Sequence, residues 1–155
     1  DFMKAVLQRV KKASVSIEGA VCGEIGPGLM ILLGVGAGDT EQDAEIMASK
    51  IAKLRIFSDE DRKMNLSIRD VEGEALIVSN FTLYANCEKG NRPDFLASAP
   101  PAEANALYET FVRQMKREVR HVATGEFGAD MEVSILNDGP VTILLDSHMW
   151  LKKKQ

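Results

Sequence analysis

Apolar and polar residues alternate along the first stretch of the chain. Ala13, Val15 and Ile17 are set against Ser14, Ser16 and Glu18, and a period of two puts one side of a strand in a core and the other toward solvent. The pattern predicts a half-buried strand over 4–17. Glu18-Gly19 predicts a turn into a second strand carrying Val21, Gly23 and Ile25, giving a hairpin. Gly26-Pro27-Gly28 then interrupts the chain, and Leu29 to Val35 is apolar throughout, as expected of a strand covered on both faces. A second such run, Ala75 to Tyr84, holds Ser79, Asn80 and Thr82 inside it. Polar groups in a buried strand cost about 1–3 kcal/mol each when left without a partner. These three either close on neighbouring backbone or mark a strand end that opens onto a pocket.

Elsewhere the period is helical. Ala44, Met47, Ala48, Ile51 and Ala52 repeat at helical spacing behind Thr40 and Asp43, a capping box with Asp for the usual Glu, and Lys50 and Lys53 favour the C-terminal end. Pro100-Pro101 suits the start of a second helix, whose stripe is Ala104, Leu107, Tyr108, Phe111, Val112, Met115 and Val119. Its opposite face carries Arg113, Lys116, Arg117 and Arg120, either a solvated face or a phosphate contact. Arg55 to Asp59 leads into a polar loop with Arg62 and Lys63, and Met64-Asn65-Leu66 predicts a short strand. Residues 87–99 read as loop. Near the end, Met131, Val133 and Ile135 alternate with Glu132 and Ser134, Val141 to Leu145 predicts the last strand, and Trp150 to Gln155 reads as a basic, frayed tail.

Between those last two strands lies Leu136-Asn137-Asp138-Gly139-Pro140-Val141-Thr142. It fits a hairpin turn with proline opening an edge strand. It also fits a rigid carbonyl edge offered to a ligand, because glycine leaves the backbone bare and proline fixes φ. No segment repeats and no linker divides the chain, so 1–155 is expected to be a single domain. Strands, helix, strand, helix, strands in that order suit an α+β domain built on largely antiparallel sheets.

Composition narrows the function. The chain has 155 residues, 45% hydrophobic and 27% charged, with net charge −4, which argues against broad nucleic-acid coating but not against a local basic patch. Cys22 and Cys87 are far apart with no CxxC, so no disulfide framework or zinc site is signalled and reducing cytosol is expected. No apolar run approaches the roughly 20 residues of a membrane span. No signal peptide precedes the first strand, and Met3 is read as the natural start, with Asp1-Phe2 an addition. Asn65-Leu66-Ser67 and Asn80-Phe81-Thr82 match the glycosylation sequon, a chance match without a secretory signal. The glycines of Gly34-Val35-Gly36-Ala37-Gly38 lack the third glycine of a dinucleotide fingerprint, where Asp39 stands instead. They read as a turn.

Catalytic side chains are few. His121, read as closing the charged helix, and His148, near the tail, are the only histidines, and neither lies in a nucleophile motif. No His, Cys and carboxylate cluster has metal spacing, so neither metal nor cofactor is expected. An enzyme with this inventory works by positioning and backbone hydrogen bonds on a substrate that is already reactive.

Ser79-Asn80-Phe81-Thr82-Leu83 together with Asn137-Asp138-Gly139-Pro140-Val141-Thr142 resembles the D-aminoacyl-tRNA deacylase family. Supporting matches are Gln8-Arg9-Val10, Arg55-Ile56-Phe57-Ser58-Asp59, Lys63-Met64-Asn65, Arg92-Pro93 and the stretch from Thr124-Gly125 to Met131. Asn80 stands where the family usually has Gln, Glu126 where it has Arg, and Arg62 where it has Gly. The resemblance implies a barrel-like core with two main helices and a homodimer, in keeping with the cytoplasmic location expected from the cysteines. Each active site is then a pocket lined in one subunit by Ser79, Asn80, Phe81 and Thr82, the implied catalytic residues. The pocket is capped by Gly139 and Pro140 of the other subunit, with Arg9 holding their cis peptide. Aminoacylated tRNA is the implied partner. Carbonyls of Gly139 and Pro140 would grip the substrate ammonium and leave no space for an L side chain. Backbone N–H groups near Phe81 and Thr82 would hold the carbonyl oxygen while the terminal 2′-OH assists water. A covalent Thr82 nucleophile, glycine on tRNA(Ala) as the main target, and a non-catalytic nucleic-acid-binding module are the rival expectations.

Overall fold

A computed structural model describes residues 2–151. Strand β1 (Lys4–Ile17) organises the sheet. One of its edges is lined along nearly its whole length by β8 (Glu132–Asp146). The other is shared, β3 (Gly28–Gly34) beside residues 4–10 and β2 (Ala20–Ile25) beside 13–17, all antiparallel. Beyond β3 the sheet continues in parallel through β6 (Glu74–Ser79) to β7 (His121–Thr124). The two ends curl toward each other, since a Cβ added to Gly23 of β2 would lie 2.8 Å from the Thr124 carbonyl oxygen of β7. The result is the expected α+β, mostly antiparallel, nearly closed barrel.

Lys11 sets the two faces. Val10 pairs with Asn137 and Lys12 with Leu136, so Lys11 is an extra residue on β1, and such a bulge exchanges the faces of everything after it. Ala5 and Leu7 point into the core beneath the helices, whereas Val10, Ala13 and Val15 join Met30, Leu76 and Val78 on the other side. β3 and β6 feed both cores, which explains their uninterrupted apolar runs.

Two helices, α1 (Glu41–Lys53) and α2 (Pro101–Glu118), cover the first core with Met47, Ile51, Tyr108, Phe111 and Met115. The capping box at Thr40 and Asp43 forms as expected. A small hairpin pairs β4 (Phe57–Ser58) with β5 (Met64–Leu66). Three expectations are corrected. The run from Ala75 is strand only to Ser79, and Phe81–Tyr84 is a 3-10 turn. His121 opens β7 rather than ending a helix. Trp150 does not fray; it lies in α3 (His148–Leu151), packs against the first core and sits under the Lys50 ammonium at 5.9 Å. The rest of the basic tail, 152–155, lies outside the described residues.

Candidate active site

A cleft of about 960 Å³ opens where β6 ends. Leu32, Val78, Met131 and Val133 line it as apolar side chains of the second core layer, with Pro100, Pro101 and Ala104 at the start of α2 and residues 127–131 as further walls. Tyr108 pins α2 to this end of the sheet by donating its buried hydroxyl to the Ile77 carbonyl at 2.8 Å. Burial pushes the Tyr108 phenol well above its ordinary range, so it is a fixed donor. The rim is apolar and uncovered. Phe81 and Phe95 meet edge to face at 5.1 Å, and Leu96 is 87% exposed.

The lip is built from the sequence-predicted set. Ser79, Asn80, Phe81 and Thr82 all line the cleft. Asn80 donates its N–H to the Leu33 carbonyl at 2.8 Å, ending the sheet ladder, and its side chain caps the turn that follows. The Asn80 Oδ1 accepts from the Thr82 N–H at 3.1 Å and from the Thr82 hydroxyl at 2.5 Å. Of the two readings of these polar residues, both hold: they open onto a pocket, and two of them satisfy each other. Among the described residues no acceptor meets the Phe81 N–H.

Among the described residues Asp130 is the one ionisable residue lining the cleft; neither His121 nor His148 does so. Within the described residues no cluster of His, Cys, Asp or Glu has metal-binding geometry. The chemistry on offer is therefore an apolar chamber edged by main-chain donors, able to orient an ester and stabilise charge on its carbonyl oxygen.

Gly139, Pro140 and Arg9 gather elsewhere. Asn137 and Thr142 of β8 pair with Val10 and Gln8, so residues 138–141 sit opposite the single residue Arg9 and bulge from the strand. The hairpin-turn reading is thereby corrected: β8 runs on past the bulge beside the same partner. The Gly139–Pro140 peptide is cis, and Gly139 has φ +128°. Arg9 donates from Nε to the Asp138 carbonyl at 3.2 Å and from Nη1 to the Ile56 carbonyl at 2.9 Å, with the Asp138 carboxylate 3.5 Å away. Asn137 closes the bulge by accepting from the Val141 N–H at 2.9 Å. Neither Gly139 nor Pro140 lines the cleft of its own chain.

Sequence reasoning missed the walls made by Phe95, Leu96 and residues 127–131. The one signal for the first two was an apolar pair in a loop that no helix or strand stripe accounts for.

Fold and site together define a small α+β protein with an apolar cleft edged by main-chain donors. A family model described as D-Tyr-tRNA(Tyr) deacylase matches residues 6–146. A D-aminoacyl-tRNA deacylase of Dehalococcoides mccartyi is 59% identical over 145 residues, covering 94% of this chain and 95% of the relative. The same enzyme of Thermosipho africanus is 57% identical, covering 94% and 97%. Among solved structures, one titled c-Myc DNA Unwinding Element Binding Protein superposes with TM-score 0.87 at 44% identity, covering 92% of this chain and 97% of that one. A probable eukaryotic D-amino acid tRNA deacylase shares the fold at TM-score 0.82 and 16% identity, covering 94% and 100%. The chain belongs to the D-aminoacyl-tRNA deacylase family.

Proposed function

We propose that the protein is a cytoplasmic homodimer that binds aminoacylated tRNA and proofreads it, releasing D-amino acids, and glycine from tRNA(Ala), by ester hydrolysis. Water adds its hydroxyl to the carbonyl carbon, the bond to the ribose oxygen breaks, and that oxygen leaves with the proton. The charge that collects on the carbonyl oxygen is met by main-chain N–H at the Phe81–Thr82 turn, and the terminal 2′-OH helps deliver the water. Thr82 is not the nucleophile in this reading, because its hydroxyl proton goes to a neutral carboxamide rather than to a base. Gly139 and Pro140 of a second copy close the cleft. Their carbonyls take the ammonium, and their bare backbone leaves no room on the side where an L side chain points.

The observation that carries this is the separation of the two halves of the site. The Gly139–Pro140 bulge is rigidly held by Arg9, yet it is absent from the lining of its own cleft. A surface for the second copy supports the reading. Leu32, which lines the cleft, pairs with Val6, and Val6 pairs with Leu144. Leu144 is 69% exposed, so an apolar row crosses three strands from the cleft to the strand that bears the bulge.

The name of the 44%-identical structure favours a second reading, nucleic-acid binding without hydrolysis through the basic face of α2. On that face Arg113 donates to Thr110 at 3.0 Å, and Arg120, expected there but lying just past the end of α2, pairs with Glu72 at 3.2 Å. Incubation with D-Tyr-tRNA, L-Tyr-tRNA and Gly-tRNA(Ala), following ester loss, separates the two. Rapid loss from the D and glycyl substrates with L-Tyr-tRNA spared is expected; equal, background loss from all three favours the binding module.

A further inference from the structure

The donors at the lip of the cleft are not all available. Thr82 carries two, its N–H and its hydroxyl, and both point at the Asn80 Oδ1, at 3.1 and 2.5 Å. Two converging donors also fix which end of the carboxamide faces the turn, since the amide nitrogen has no lone pair to offer them. A substrate carbonyl that approaches Thr82 has to compete with an acceptor already in place.

The turn does not need this cap to keep its shape. The Asn80 N–H is held by Leu33, Leu83 donates to the Asn80 carbonyl at 3.4 Å and Ala85 to the Thr82 carbonyl at 3.1 Å. Tyr84, 4% exposed, donates its hydroxyl to the Phe2 carbonyl and lies 3.0 Å from the Gly34 carbonyl. The backbone frame is thus anchored at both ends independently of the Asn80 side chain, which leaves the carboxamide free for another part.

We propose that Asn80 is a positioning residue that withholds the Thr82 amide and hydroxyl from the substrate, so that the Phe81 N–H is the donor that meets the ester carbonyl. The assignment rests on the deacylase reading above and deepens it. A neutral carboxamide makes a moderate cap, which an oxyanion can partly displace. A carboxylate at the same place holds the two donors harder and repels the developing charge. Glutamine, one methylene longer, falls outside the set of side chains that cap well, and alanine has no acceptor.

The series Asn80→Gln, Asn80→Ala and Asn80→Asp tests this, with kcat and KM measured on D-Tyr-tRNA. Gln and Ala are expected to raise kcat about five- to tenfold with KM little changed, because Thr82 is freed to help the transition state, and Asp to lower it by a similar factor, because the carboxylate holds Thr82 harder and repels the developing charge. A purely structural cap gives the opposite order, with Asp near the unaltered protein and Gln and Ala reduced; that order, or no change in any variant, overturns the proposal. Hydrogen exchange at the Thr82 amide reads the cap without substrate. It is expected to quicken in Asn80→Ala and Asn80→Gln and to slow in Asn80→Asp, and identical exchange in all four proteins also overturns it. Failure of the unaltered protein to hydrolyse D-Tyr-tRNA removes the deacylase reading itself, while exchange still reports on the cap.

Discussion

At the scale of single residues, the proposed function makes main-chain atoms matter more than reactive side chains. Thr82→Ala removes a hydroxyl but leaves the Thr82 N–H on its cap, so the variant is expected to keep kcat within about tenfold. Gly139→Ala adds a Cβ at φ +128°, 3.0 Å from Val141 Cγ2 and 3.1 Å from the Val141 nitrogen. The bulge has to shift, and a misplaced donor or acceptor costs about 10²-fold or more; single-turnover rates on D-Tyr-tRNA compare the two. A different residue carries a pH signature. Asp39, half-buried, has its pKa pushed up from 3.8 to about 6, by burial first and by the charges of Asp43 and Asp146, against the pull of the Gly36 N–H. The fold favours its uncharged form, so that contribution is complete below about pH 4 and is lost as pH rises through about 6. Asp39→Asn is expected to melt like the unaltered protein at about pH 4. At about pH 7.5 it should be more stable by roughly 1 kcal/mol after discounting for solvent screening, or about 3 °C. The sequence made Asp39 visible as the residue that breaks a nucleotide fingerprint, but its burial depends on distant strands and was not readable there.

At the scale of elements, local periodicity was a good guide and long-range register was not. The stripes of α1 and α2, the turn at Glu18-Gly19 and the capping box at Thr40 are visible because each is decided within a few residues. The end of β6 was hidden, because Phe81, Leu83 and Tyr84 are as apolar in a 3-10 turn as in a strand. β7 is four residues long, too short for a period of two to register. The bulges at Lys11 and 138–141 exist only in the pairing of β1 with β8, over a hundred residues apart, so the Gly-Pro stretch looked equally like a hairpin. Tyr108 shows how an element's placement is secured by one contact that pattern reading cannot see. Tyr108→Phe leaves the Ile77 carbonyl without its donor, and thermal or urea unfolding is expected to report a loss of about 1–2 kcal/mol.

At the scale of the whole molecule, the cleft and the Gly139–Pro140 bulge are separate regions of one chain, and neither Gly139 nor Pro140 lines the cleft; the proposed function has a second copy join them. The motifs Ser79–Leu83 and Asn137–Thr142 were legible as a pair, but nothing in their spacing says that a second copy joins them. That claim is tested by complementation. Gly139→Ala spoils the bulge and leaves the cleft whole; Ala129→Trp fills the cleft and leaves the bulge whole. Each variant alone is expected to be nearly inactive on D-Tyr-tRNA. Unfolded together and refolded as a mixture, they should recover about a quarter of the normal activity, because half of the random twofold dimers carry one intact composite site. A mixture no more active than its separate components would contradict a site shared between subunits.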